Sequence, residues 1–295
     1  MRAPTDRDDF QNASGHALVF DSGVGGLTVA QALKSISPAV HVDYSADTGY
    51  FPYGDKSDEE LRRRLPAVAA ALVEAGKPDV FVIACNTAST LALDEVRARL
   101  TVPVVGTVPA IKPAIAESDT NTVGLLATPG TIRRPYTQDL IDEFARDATV
   151  IKHGSQSLVA LAEAVARGES PPLKAFAEAQ APLFSANGGD RMDTVVLACT
   201  HFPLVRAQLE ASAPRPVRYV DSSDAIARQT ARHLLAKRRP TLVDRRATAF
   251  VTSSVDELGG LSLTFKRFGF PHLQDVSVGV EATSTATVSS AGARR

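Results

Sequence analysis

Two nine-residue stretches of this chain are nearly alike: DVFVIACNT over Asp79–Thr87 and DTVVLACTH over Asp193–His201. Each has an acidic residue, five mostly apolar residues ending in Ala, and then a cysteine followed by polar groups. These are the two cysteines of the 295-residue chain, 114 positions apart (199 − 85). The short apolar runs read as buried strands, and helical patterns follow them. A strand–cysteine–helix unit written twice at this separation points to two halves of similar build.

The rest of the chain keeps the same alternation. His16–Asp21 reads as a strand, SGVGG as a turn and Leu27–Lys34 as a helix, with VHVDYS as the next strand. Ser57 and Glu60 form a capping-box start for a helix that runs to Gly76, and Pro66 is expected to kink it. VPVVGTV, TVGLLAT and TVIKHG read as strands, separated by helices over PAIKPAIAES and RRPYTQDLIDEFARD. SLVALAEAVARGE, FPLVRAQLEAS and DAIARQTARHLLAKRR are further helices. Strands alternating with helices indicate an α/β fold with a mainly parallel sheet in each half.

Charge excludes some partners. Lys and Arg number 32 against 33 Asp and Glu, so no global field steers the chain to nucleic acid or an anionic membrane. The basic clusters Arg62–Arg64 and Lys237–Arg239 read as solvated helix faces, because no aromatic residues are interleaved for stacking. The polar start MRAPTDRDDFQNASG lacks a secretory apolar core, and no run nears a membrane span of roughly 18 apolar residues. A cytoplasmic protein with free thiols and a small-molecule ligand is expected. Residues 1–15 and the Ser/Thr-rich 277–295 read as mobile tails.

In a parallel α/β sheet, ligands bind at the carboxyl ends of strands, and both Cys85 and Cys199 fall there. A helix N-terminus beside each would lower the thiol pKa. A lone cysteine is most often an inert small hydrophobe, but a matched pair followed by Asn86-Thr87 and Thr200-His201 favours chemistry. A disulfide, a zinc site with Cys85, Cys199 and His201, a single nucleophile and two opposed acid–base groups all compete. The scattered other histidines weigh against zinc, and a lone nucleophile would leave the second cysteine unexplained.

Other segments offer partners. The turn after Asp21 has N–H groups able to hold an anion, and Asp43 lies about 20 residues on, as a dinucleotide fingerprint requires; the third glycine is missing. Asp21 is either a helix cap or a charge aimed at the pocket. YFPYGDKS reads as a turn or as a pocket lip whose Tyr53 and Gly54 N–H groups bind a small anion. Thr128 and Thr131 cap a helix or touch ligand.

VFDSGVGGLTVA, PYG.KS, ACNTAS, ACTHFPL and VDSSDAIARQTA, in this order over roughly residues 17–275, resemble the glutamate racemases. The resemblance implies a cofactor-independent enzyme without a bound metal that interconverts L- and D-glutamate for peptidoglycan. It implies Cys85 as base for D-glutamate, assisted by Asp21, and Cys199 as base for L-glutamate, assisted by His201. Ser22, Pro52, Tyr53, Gly54, Asn86, Thr87, Thr128, Thr131 and Thr200, with Asp21 and His201, match residues that hold substrate.

The same resemblance implies residues 16–109 plus 223–276 as one α/β domain and 110–222 as the other. The site then lies in the cleft between them, the final helices return to the first domain, and a homodimer is expected. A racemase acting on aspartate and a relative that inhibits DNA gyrase by contact are its alternatives. One departure stands out: relatives commonly carry an acidic residue where this chain has Ala160, so that group is either missing or replaced by Glu163. The chemistry is consistent with opposed thiols, because inversion at carbon needs a proton taken from one face and returned to the other.

Overall fold

The computed structural model describes residues 10–237 and 245–279. Its strands fall into two parallel sheets. In the first half, β1 (Gly15–Asp21), β2 (Val40–Ala46), β3 (Val80–Ile83) and β4 (Val104–Val105) are connected by α1 (Leu27–Ile36), α2 (Asp58–Gly76) and α3 (Asn86–Arg99). The second half carries β5 (Thr122–Ala127), β6 (Thr149–Gly154), β7 (Thr194–Leu197) and β8 (Arg218–Val220). Its helices are α4 (Ile111–Glu117), α5 (Pro129–Arg133), α6 (Pro135–Phe144), α7 (Gln156–Ala166), α8 (Leu173–Ser185) and α9 (Arg206–Ser212). The chain then returns through α10 (Ser223–Lys237), β9 (Thr248–Val251), α11 (Gly260–Arg267) and β10 (His272–Asp275).

Strand order shows how the repeat is used. The first sheet runs β10-β9-β2-β1-β3-β4 and the second β6-β5-β7-β8, so β2-β1-β3-β4 has a counterpart strand by strand. Each cysteine follows the strand beside the central one, and the registers agree: the Ala84 N–H donates to Phe20 O and the Ala198 N–H to Leu126 O, both at 2.8 Å. All seven residues of β1 are buried, as expected of a central parallel strand with helices on both faces. The fold class is the α/β architecture that the alternation indicates.

The returning segment does more than pack helices. α10 lies against α1, while β9 pairs in parallel with β2 and with β10, so the first sheet draws two strands from the end of the chain. The two crossing points touch, since Ser222 Oγ donates to Val108 O at 2.6 Å. Within the first sheet, the buried Asp43 carboxylate of β2 holds strands together. It meets His16 Nε2 and His41 Nε2 at 2.9 Å each, Arg245 at 3.0 Å and the Thr248 N–H at 2.8 Å.

The Ser57/Glu60 capping box and the run of α2 from Asp58 to Gly76, with Pro66 inside it, are as read from the sequence. Several other expectations need correction. VPVVGTV forms only the two-residue β4. Phe10 and Ala13 are buried in the first core, so residues 10–15 are packed and not a loose tail. Arg64 does not face solvent but makes a bidentate pair with Asp47 at 2.7 and 2.6 Å, and Arg62 pairs with Glu95. The expected tails over 1–9 and 280–295, and Arg238 and Arg239 of the second basic cluster, lie outside the described residues.

Candidate active site

Thr107 fixes the end of β3 just before the first thiol: its hydroxyl donates to Ile83 O at 2.8 Å and Ala84 O at 3.0 Å. Cys85 then stands directly at the start of α3. Cys199 differs, because a single 3₁₀ turn over Phe202–Val205 follows it and α9 begins only at Arg206. Both thiols line one cavity, with Ser22, Pro52, Tyr53, Gly54, Asn86, Thr87, Thr128, Thr200 and His201 around them. Phe51, Gln156, Val159 and Ala198 complete the wall. Asp21 and Thr131 sit behind this lining, both fully buried.

The walls are chemically unequal. On one, Cys85 Sγ lies 3.8 Å from Ser22 Oγ, and Ser22 Oγ reaches Asp21 Oδ1 at 3.3 Å. Burial and the Asp21 carboxylate push the Cys85 thiol up to about 12. This reverses the expected lowering: the helix start is present, but desolvation and a neighbouring anion outweigh it. On the other wall, Cys199 Sγ lies 3.9 Å from His201 Nδ1, and His201 Nε2 is 2.8 Å from Glu163 Oε1. Burial opposes charge on His201, but the hydrogen bonds to Cys199 and Glu163 prevail and hold its pKa well above the ordinary imidazole value.

Glu163 also answers the question raised by Ala160. Ala160 is exposed, whereas Glu163 is buried and supplies the acidic group. Burial works against its charge, yet the His201 contact keeps its pKa below the usual carboxylate range. Its spacing from His201, 38 positions, left no local pattern to find.

The glycine turn is a contact between halves, not a nucleotide cradle. The Gly23 N–H donates to Asp21 Oδ1 at 2.9 Å and the Val24 N–H to Glu163 Oε1 at 3.4 Å, so its amides hold the protein's own carboxylates. A Cβ on Gly25 would lie 2.6 Å from Thr200 Oγ1 and 2.7 Å from His201 N. That close approach explains the glycine, and Asp43 is committed to the histidine and arginine contacts described above.

Two more networks set the lip and the join. Asp47 accepts from Tyr53 Oη at 2.7 Å, from Arg64 and from Thr252 Oγ1 at 2.6 Å, which anchors Pro52-Tyr53-Gly54. Hydroxyls of Thr87 and Thr128 lie 3.5 Å apart and those of Thr128 and Thr131 3.0 Å apart, so Thr131 backs Thr128 while Thr128 also caps α5. Arg134, buried and missed by the sequence reading, donates to Thr87 O at 3.3 Å and Asp58 Oδ1 at 2.9 Å. The zinc alternative gains no support: among the described residues, the group with metal-ligand spacing is His16, His41 and Asp43, at the far end of β1 from Asp21.

The Asp/Glu/Hydantoin racemase profile matches residues 27–230, more than half of the chain. The chain belongs to that racemase family. Among its relatives, the glutamate racemase of Klebsiella pneumoniae is 42% identical over 257 residues, covering 87% of this chain and 90% of that one. The glutamate racemase of Sphingopyxis alaskensis is 49% identical over 214 residues, 72% of this chain and 80% of that one. In structure, Escherichia coli glutamate racemase in complex with L-glutamate and the activator UDP-MurNAc-Ala aligns with a TM-score of 0.85 at 39% identity. That match covers 90% of this racemase-family chain and all of the E. coli chain.

Proposed function

We propose that this protein interconverts L- and D-glutamate by proton transfer between two cysteines, without a cofactor. One observation carries the reading: the matched thiols line a single cavity, with Asp21 and Ser22 behind one and the His201–Glu163 pair behind the other. In the L-to-D direction, Cys199 takes the Cα proton on one face and Cys85, held as a thiol, gives its proton to the other. The products are D-glutamate, a Cys199 thiol and a Cys85 thiolate. The reverse reaction restores the start, as does proton exchange with water.

Between the two transfers, negative charge spreads into the α-carboxylate. Neutral donors beside it, Asn86, Thr87 and the Thr200 backbone N–H among them, would stabilise that charge in an enclosed site, the Thr200 hydroxyl being engaged with Asp21. Burial strengthens each of these interactions. Asp21 raises the proton affinity of Cys85, and charged His201 favours the Cys199 side as the first acceptor.

Support for the organisation is the pairing of the two sheets: residues 16–109 with 223–276 as one domain and 110–222 as the other, each supplying one cysteine. Family membership supports a role in supplying D-glutamate for peptidoglycan in the cytoplasm, and the resemblance supports a homodimer. No described helix is long and apolar enough to cross a membrane.

The deciding experiment is incubation with each glutamate enantiomer in D₂O, followed by proton NMR and chiral analysis. Wild type should inverse the centre and place deuterium at Cα in the product. Cys85→Ser should lose inversion while still exchanging the Cα hydrogen of L-glutamate more readily than that of D-glutamate, and Cys199→Ser should show the opposite bias. No exchange by reduced wild type defeats the proposal, and faster turnover of aspartate would reassign the substrate.

A further inference from the structure

The cavity contains a polar group with no task in the mechanism above. Gln156, the first residue of α7, lines it, and its Oε1 is buried with no hydrogen-bond partner. An orphaned buried carbonyl is costly, and native interiors rarely keep one without a reason. Ser155 beside it is occupied in capping α7, where its Oγ accepts from the Leu158 N–H at 3.3 Å. Gln156 is therefore not needed to start the helix.

Its position suggests the task. The carboxamide lies against Gly54: a Cβ there would be 2.6 Å from Oε1 and 3.2 Å from Nε2. Gly54 belongs to the lip anchored through Tyr53 and Asp47, whose N–H groups suit a small anion. Cys85 and Cys199 are buried, whereas Gly54 and Gln156 are only half-buried, which places the amide toward the mouth. With Cα between the thiols, a substrate side chain that reaches the mouth ends beside Gly54 and Gln156.

Charge sharpens the argument. Among the described residues no lysine or arginine lines this cavity, and both ring nitrogens of His201 are engaged with Cys199 and Glu163, so a second carboxylate is left to neutral donors. A glutamine side chain presents either its oxygen or its NH₂ by a half-turn of the terminal torsion. Because Oε1 has no partner, no hydrogen bond within the protein opposes that half-turn.

We infer that Gln156 donates its Nε2–H to the side-chain carboxylate of the substrate beside Gly54, and so selects a dicarboxylic amino acid of glutamate's length. The inference rests on the glutamate reading and extends it to the distal end of the ligand. Losing one hydrogen bond to a charged group corresponds to roughly a 10- to 100-fold effect.

The test measures exchange and inversion kinetics of Gln156→Ala, Gln156→Asn and Gln156→Glu beside wild type, with melting curves for all four. Gln156→Ala should raise KM for glutamate about 10-fold or more, with kcat within about 3-fold and an unchanged melting temperature. Gln156→Glu should raise KM further by repulsion, and glutamine as a competitive inhibitor should lose less affinity than glutamate in both. An unchanged KM, or a fall confined to kcat, overturns the role of Gln156 while leaving the racemase reading intact. Wild type inactive on glutamate overturns that reading, and this inference with it.

Discussion

Thr200 Oγ1 donates a hydrogen bond to Asp21 Oδ2 at 2.7 Å, joining residues 179 positions apart in the two halves of the molecule. The bond places the carboxylate that loads Cys85 under the control of the residue next to Cys199. Asp21 is wholly buried and spends its other oxygen on the Gly23 N–H and Ser22. Thr200→Val should therefore act on both walls: a fall of roughly 10- to 100-fold in kcat/KM for each enantiomer, matching the loss of a hydrogen bond to a charged group. Steady-state kinetics in both directions would show it, and a change below 2-fold would argue that the bond is incidental.

Glu163→Gln separates charge from shape. With the carboxylate gone, burial works on His201 with only the Cys199 contact left to oppose it. The alkaline limb of the kcat/KM profile should move down by about 1–3 pH units, the usual effect of a neighbouring opposite charge. The stability linkage has the corresponding sign. His201 has a raised pKa, so the pair's contribution is full below about pH 6.5 and is lost as pH rises through the raised value. Glu163 has a depressed pKa, so its share is present above about pH 4.3 and is lost as pH falls through the lower value. A pH profile identical to wild type would contradict the pairing.

Cys85 should be a poor nucleophile in the free protein. A thiol held near 12 is about one part in 10⁴ thiolate at pH 8. Iodoacetamide labelling followed by peptide mass mapping should leave Cys85 largely unmodified at pH 8, with labelling that climbs as pH rises beyond 10. Asp21→Asn should raise the labelling rate at pH 8, since it removes the neighbouring anion.

Stability is concentrated elsewhere. Asp43→Asn would leave His16, His41 and Arg245 without their shared anion at the base of the first sheet, and breaking a buried pair costs about 3–5 kcal/mol. Urea unfolding should show a lowered midpoint. Because the Asp43 pKa is depressed by its hydrogen bonds from the histidines and Thr248 in spite of burial, its contribution should be present above about pH 4 and be lost with acidification through the depressed value.

Short-range patterns made the strand–cysteine units, the alternation of elements and most cavity residues legible in the sequence. Cys85, Asn86 and Thr87, and likewise Cys199, Thr200 and His201, are contiguous, so one strand end delivers each group to the cavity. Contacts set by tertiary approach left no such pattern. Glu163 reaches His201 from a different helix, Gln156 looks like an ordinary first-turn residue, and the glycines of SGVGG look like a nucleotide loop until Thr200 and His201 are seen against Gly25. The pKa of Cys85 misled for a related reason: a helix start can be read locally, whereas complete burial beside Asp21 cannot.

The pairing of β9 with β2 sets an order on biosynthesis. Strands β5 through β8 and their helices emerge as one uninterrupted length, so that half has all its strands while the ribosome is still at work. The half that emerges first must wait, with the edge of β2 unpaired, until Thr248–Asp275 has been made. A chain stalled near residue 240 would therefore carry both cysteines and the whole cavity lining but present an open, aggregation-prone strand edge.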